Sequence, residues 1–301
     1  MTYYNRNIED ALFNVRQIPT LGFLNSQLEN VGSMQAKGLE LVANASVWRR
    51  EQWEWSVGGS LYTNSTKVKS LGGAPDFSLG NFGWIMVGQS IPMIRTDFCV
   101  QNPEAPTPMN GATPAPVIIS PSSADPNVCN HGPNLPTHTY GMQTGLDMPF
   151  GLSFRMRGEY EGGHFMYDGA AFNAVQRSVR WPGCYDYYTL QEAGRVAEAR
   201  AIDAARCTAS TTRADYFIYP ADFFKVREVS LGAPIPARYL RGASGARFVV
   251  SGHNVWKWVN KDFPVFDPET GNNDGFNSRV RSILEHVPPP AVWTAQLRLT
   301  F

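Results

Sequence analysis

The chain has 301 residues with 26 basic and 26 acidic side chains, so no charge excess points to nucleic acid or to an anionic surface. Its 27 glycines, 22 prolines and 12% aromatic residues suit a loop-rich β protein better than a helical one. No apolar run reaches the roughly 18 residues of a membrane-spanning helix, a test that strands of a membrane barrel also fail because they alternate.

In chain order, Met1-Thr2-Tyr3-Tyr4 already reads as a strand, without a signal-peptide pattern. The expectation is either a cytosolic protein or the tail of a longer chain. Residues 1–14 are predicted as an outgoing strand, followed by a polar loop from Pro19 to Asn30. From Gly38 to Trp48, Leu39, Leu41, Ala43, Ala45 and Val47 share one parity, against Glu40, Asn44 and Ser46. A period of two puts such sets on opposite faces of a strand. The polar turn 49–52 returns the chain with Trp53, Trp55, Val57 and Leu61 on one face, which predicts a hairpin.

Between Thr66 and Pro136 the pattern dissolves into Gly, Pro, Ser and Asn, an unusual length of loop for a compact soluble domain. Alternation resumes at Tyr140, Met142, Thr144, Leu146 and Met148, and turns through Asp147–Gly151. Leu152, Phe154, Met156 and Tyr160 then oppose Ser153, Arg155, Arg157 and Glu159, so this second face must be wet. A further excursion, 169–221, contains an Ala- and charge-rich stretch, Leu190 to Arg206, predicted as a short helix capped by Thr189. Strands follow at Phe223–Ile235 and Ala246–Trp256, the latter with Phe248, Val250 and Gly252 on one face. A third polar loop, 259–289, leads to a closing strand in which Trp293, Ala295, Leu297, Leu299 and Phe301 alternate with Thr294, Gln296, Arg298 and Thr300.

Short turns therefore alternate with long connections, as in outer-membrane barrels with short periplasmic turns and long extracellular loops. All four cysteines fall in the long connections, as two local pairs, Cys99 with Cys129 and Cys184 with Cys207. Their spacing fits no zinc pattern. Two loop-closing disulfides in an oxidising compartment are the simplest reading, and four unrelated thiols are the alternative.

Chemistry is sparse. His131, His138, His164, His253 and His286 stand at no zinc-ligand spacing, and no GxSxG or HExxH motif occurs, so neither an enzyme, a cofactor nor a metal is expected. Asp267 to Asp274 is oxygen-rich enough for calcium but lacks the EF-hand spacing, which favours a hydrogen-bonded turn. Arg155, Arg157, Glu159, Arg247 and Arg298 are expected to line a lumen. Trp84, Tyr185, Tyr187 and Tyr188 are candidates for sugar stacking or for an interfacial girdle.

Several segments resemble the C-terminal part of TonB-dependent outer-membrane receptors of the SusC/RagA-like group. Tyr3-Tyr4-Asn5 with Asp10 and Leu12 is similar to that family's YYN…D.L strand. The stretch from Asn30 through Gly32 and Gly38 to Glu40 is close to its NVG…NKGIE segment, with Gln35-Ala36 departing from it. Phe223–Gly232 with Ile235-Pro236 resembles its LR..NVTLGY.LP pair, and Phe248–Asn254 its SGQNL stretch, with His253 in place of Gln. Asp267-Pro268-Glu269 matches its DPE loop, and the chain ends on the aromatic Phe301.

The resemblance implies an all-β, antiparallel transmembrane fragment. Its single domain, residues 1–301, would supply about 8 strands of a plugged barrel of about 22, with the plug lying outside this sequence. It implies outer-membrane import of oligosaccharides or peptides, contact with TonB through an N-terminal region, and a SusD-like surface lipoprotein as partner. The long loops would be extracellular and the C-terminus periplasmic. The rival readings are a small self-contained outer-membrane pore or adhesin, and a secreted β-sandwich carbohydrate-binding module.

Overall fold

A computed structural model describes residues 1–15, 27–240, 242–263, 267–270, 280–284 and 287–301. Eight antiparallel strands form a meander in which each pairs with the next in the chain: β1 Thr2–Val15, β2 Gln27–Arg50, β3 Trp53–Thr63, β4 His138–Asp147, β5 Ser153–Gly162, β6 Phe223–Ile235, β7 Gly245–Val259 and β8 Val292–Thr300. β1 and β8 do not pair with each other, so the sheet is open. It is neither a closed small barrel nor a sandwich of two sheets. β4 and β5 have 10 residues each, the length a tilted strand needs to cross a bilayer.

The alternation read from the sequence is kept across the sheet. Ala45, Val57, Thr144, Met156, Val229 and Gly252 form one cross-strand row, and Trp55, Leu146, Phe154, Leu231 and Val250 another. On this face Tyr140 lies 5.7 Å from Tyr160, which stacks 6.4 Å from Trp258 toward the long-connection end. Trp48 and Trp53 pack at 6.3 Å beside the turn that joins β2 to β3. The one polar member of the first row is disguised: Thr144 Oγ1 accepts from Trp55 Nε1 at 2.9 Å and donates to Ser56 O at 3.2 Å.

The structure departs from the sequence reading in one strand of the main sheet, β2, and in one helix. β2 runs 24 residues, about 80 Å, starting at Gln27 rather than Gly38, so part of the expected polar loop is strand and the rest lies outside the described residues. Its first half pairs with β1 on one side and with Ser65–Ser70 on the other. In place of one helix over 190–206 the chain forms α1 Gly169–Gln176, α2 Tyr185–Glu192 and α3 Ala201–Cys207. α2 ends in a Schellman motif: Gly194 N donates to Gln191 O at 3.1 Å and Arg195 N to Leu190 O at 2.8 Å, with Gly194 at φ +70°. Thr189 is thus inside α2, its hydroxyl bonded back to Tyr185 O at 2.9 Å, and caps nothing.

The long connections, 64–137, 163–222 and 260–291, pack together at one end of the sheet. Their shared core takes Ile94 and Val100 from the first, Met166, Val175, Phe217 and Tyr219 from the second, and Phe263, Val280 and Ile283 from the third. Tyr167 and Asp168 pair in parallel with Ser282 and Ile283, joining the second connection to the third. Both expected disulfides form, Cys99–Cys129 in the first connection and Cys184–Cys207 in the second, each with Cα atoms 5.6 Å apart. The second links the start of α2 to the end of α3, which requires the chain to reverse between them.

Candidate functional site

Two concave regions carry the polar chemistry. The first is a groove of about 590 Å³ on the inner face of β2–β6. Across its floor Asn44, Gly58, Gln143, Arg157, Glu228 and His253 form one row. Gln143 Nε2 donates to Asn44 Oδ1 at 2.7 Å directly above Gly58, where a Cβ would stand 2.2 Å from that oxygen. Toward the short turns Arg155 Nη2 meets both carboxylate oxygens of Asp147 at 2.6 and 2.8 Å, and Arg49 meets Glu54 at 2.5 Å. Arg247 bonds Gly151 O at 3.1 Å and Ser153 Oγ, and Arg298 bonds Gln296. The expected lumen charges therefore share the groove face. Arg157 and Glu228 stand opposite each other there without an ion pair among the described residues.

At the upper rim of this face a bulge changes the spacing. Arg227 has no partner on β5, and β7 answers it with two residues, Asn254 and Val255. Asn254 takes φ +53°, a conformation asparagine tolerates better than most residues. The bulge lets Arg227 and Glu228 both point inward, and Arg227 reaches Glu159 at 2.7 Å and Glu269 at 2.6 Å. Lys225, only 2% exposed, binds Asp267 at 2.6 Å and also Glu269. The two acids compensate two bases where either unpaired would be costly to bury. Asp267 and Glu269 close a hydrogen-bonded turn, with Glu269 N on Asp267 Oδ1 at 3.1 Å and Thr270 N on Asp267 O at 2.9 Å. That turn latches the third connection to the inner wall; residues 271–274 lie outside the described ones. No three His, Cys, Asp or Glu side chains among the described residues are set to hold a metal.

The three connections meet on one buried side chain. Asn134 Oδ1 accepts from Arg281 N at 2.6 Å, while Nδ2 donates to Phe165 O at 2.8 Å and to Arg281 O at 2.9 Å. Between the first and second connections lies the second concavity, a cavity of about 600 Å³ walled by the Cys99–Cys129 disulfide, His131, Phe165, Ile202, Arg206 and Tyr219. Arg206 lies 4.3 Å from the Tyr219 ring centre and bonds Tyr216 O at 2.9 Å. Arg200 is held by both oxygens of Asp203 at 2.7 and 2.9 Å and by Glu104 at 3.1 Å.

The remaining sequence candidates are dispersed. Asn30, Gly32, Gly38 and Glu40 all lie on β2, opposite β1 residues Leu12, Ala11, Tyr4 and Thr2. Asp10 forms a bulge there at φ +54°. Phe301 follows β8 and is exposed. Tyr187 is buried with its hydroxyl on Thr208 Oγ1 at 2.9 Å, and Trp84 is covered by Arg95 at 4.7 Å, so neither belongs to a lipid girdle or offers an open stacking face. Tyr188 lies under Arg180 at 5.4 Å, leaving Tyr185 as the exposed ring of that set. His138 bonds Thr137 Oγ1 at 3.0 Å, His164 is buried without a hydrogen-bond partner for its ring among the described residues, and His286 lies outside them. Burial holds the His164 imidazole down at about 3 and raises the Asp168 carboxyl to about 6. Sequence reasoning missed Asn134 and Lys225, and neither carried a signal: a period of two puts Lys225 on the parity of Val229 and Leu231, and only the bulge at Arg227 turns it inward.

No protein-family model matches the sequence. The chain is 34% identical over 101 residues to TonB-dependent receptor P26 of Formosa agariphila, covering 31% of this chain and 10% of that protein. It is 22% identical over 342 aligned positions to TonB-dependent receptor P3 of the same organism, covering 99% of this chain and 32% of that one. The RagAB peptide transporter has the same fold, with TM-score 0.69 at 20% identity over 99% of this chain and 33% of that chain. The RagAB peptide importer in its closed-closed state gives 0.67 over the same shares. The chain thus spans about a third of the relatives it matches along its whole length. Sequence and fold point the same way: the chain is similar in sequence to TonB-dependent receptors and shares its fold with the barrel of a peptide transporter.

Proposed function

We propose that residues 1–301 are the C-terminal barrel portion of a receptor that imports oligomeric nutrients, oligosaccharides or peptides, across an outer membrane. One observation carries this reading: eight successive strands present exposed apolar side chains on one face and a charged, hydrogen-bonded groove on the other. Only a wall between lipid and an aqueous passage gives both faces a matching solvent. The unpaired edges of β1 and β8 are where the remaining strands of the barrel join. Two disulfides in the long connections suit an oxidising exterior, so we assign those connections to the extracellular side and Phe301 to the periplasmic rim. TonB, acting through an N-terminal region, energises transport, and a SusD-like surface lipoprotein covers the mouth. The likeness to TonB-dependent receptors and to a peptide transporter supports import as the class of function.

The test uses cells lacking the full-length receptor. Loss of energy-dependent uptake of either labelled oligosaccharides or labelled peptides, restored by the intact gene, is the expected result. Unchanged uptake of both, or release of the protein from membranes by mild salt without detergent, overturns the proposal.

A further inference from the structure

The cavity between the first and second connections takes no part in the wall and is not part of the import reading. We propose that it is a binding site for a small amphipathic amine, an apolar body bearing an ammonium group, as at the N-terminal residue of a peptide. Its volume of about 600 Å³ falls within the range of small-molecule sites. Val100, Ile119, Ile202, Ile218 and Pro220 supply an apolar lining.

The polar groups decide the class of ligand. Both arginines on the wall are already spent: Arg200 on Asp203 and Glu104, Arg206 on Tyr216 O and the Tyr219 ring. An anion would have to compete with Asp203 and Glu104 for these guanidinium groups. The acceptors are less fully used. Asn130 Oδ1 is buried without a partner among the described residues. Asp215 receives Asp97 N and Phe98 N on Oδ1 alone, each at 3.0 Å, which leaves Oδ2, and Asp262 stands 3.9 Å from Arg200. An ammonium group brings three donors and no acceptor, the complement of this set. His131, turned by Nε2 toward Thr96 Oγ1 at 3.2 Å, does not repel it: burial keeps the imidazole at about 4, neutral at neutral pH.

A sugar is the poorer fit. Stacking on a pyranose needs an open aromatic face, whereas Arg206 covers Tyr219 at 4.3 Å, His131 packs 6.2 Å from Phe165, and Tyr216 is sunk in the core. The site stands without the import reading, and rests on it only in implying that the imported oligomer is a peptide.

The test is calorimetric titration of the full-length receptor in detergent with phenylalaninamide, its neutral N-acetyl derivative, and maltohexaose. Phenylalaninamide is expected to bind about tenfold more tightly than the N-acetyl form, maltohexaose not at all, and the preference to fall to about threefold or less in Asp215→Asn and Asn130→Ala. Ile202→Phe, which fills the cavity, is expected to abolish binding; should it fail to fold, the two polar variants decide. Equal binding of the two amides, binding of maltohexaose alone, or a preference unchanged in both polar variants overturns the proposal. Uptake is measured separately: import without amine binding removes this site and leaves the import reading, and amine binding without import does the reverse.

Discussion

On the outer face of the wall Leu231, Phe248, Trp256 and Leu297 are exposed, whereas Met166, Phe217, Val280 and Ile283 in the connections have no accessible surface at all. Among the described residues the wall gives a buried side chain to an apolar cluster only at Ala11, where Ile8, Ala11 and Met34 pack against Val68, Leu71 and Ile85 of the first connection. Its backbone is satisfied by the ladder, its apolar face needs lipid, and its inner face is held by ion pairs and amides. The connections behave like a small soluble domain, with a shared core, two disulfides and buried polar ties. One chain therefore uses two solvents. The two regions join where Lys225 and Arg227 of the wall clasp Asp267 and Glu269 of the third connection.

The largest expected effect is at that junction. Lys225→Met leaves Asp267 and Glu269 without their buried cation and is expected to cost about 3–5 kcal/mol, detaching the third connection while the strands persist. Hydrogen exchange that accelerates at Asp267 and Thr270 but not in β4 and β5 checks it; equal acceleration in the strands would show that the regions are not separable. Next, replacing Cys99 with Cys129, or Cys184 with Cys207, by alanine pairs should each destabilise the connections by about 3–4 kcal/mol, from closed loops of 30 and 23 residues. Protease nicking confined to 64–137 or 163–222, with heat-modifiable migration retained, is the expected outcome.

The wall answers to depth rather than to burial. Met156→Arg, midway along the outward face of β5, should cost about 2–4 kcal/mol, and Leu41→Arg, which shares a row with Tyr160 and Trp258 near the long-connection end, about 0–1 kcal/mol. Equal costs in urea unfolding from vesicles would break the assignment of that face to lipid.

The smallest effect is a pH dependence confined to the connections. His131 and His164 titrate at about 4 and about 3 when folded, below the ordinary histidine value near 6.5, so the unfolded chain binds more protons. Their contribution to stability is complete above about pH 6.5 and declines as pH falls toward 4. Asp168, raised to about 6, opposes this between pH 6 and its ordinary value near 3.9. Melting of the connections is expected at lower temperature at pH 5 than at pH 7.5, and His164→Phe should shrink that difference. A difference unchanged in the variant would remove His164 as a source.

Much of the wall was legible because its information is local. Leu152 to Tyr160 declares its two faces by parity alone, and the same rule places Arg155, Arg157 and Glu159 on the groove. Even so, the N-terminal half of β2 was not legible, because it pairs with Ser65–Ser70 as well as with β1 and the bulges near Asp10 and Ala11 break the period. The helix over 190–206 failed for a local reason, Gly194, compounded by a distant one, the reversal that Cys184–Cys207 demands. The motif residues Asn254, Asp267 and Glu269 were recognised by likeness, but their physics is tertiary: a left-handed bulge residue and two anions clasped by Lys225 and Arg227.

The sequence by itself determined most of the strands, their wet and dry faces, the alternation of short turns with long connections and the two local pairs into which the cysteines fall. Each is written in a repeat of two, or in the separation of cysteines. Only the tertiary structure decided that the long connections share one core, that Asn134 ties all three together, that the wall stays open between β1 and β8, and that a cavity with spare acceptors lies beside Cys99–Cys129. Those outcomes depend on contacts between residues far apart in the chain, and no local period records them.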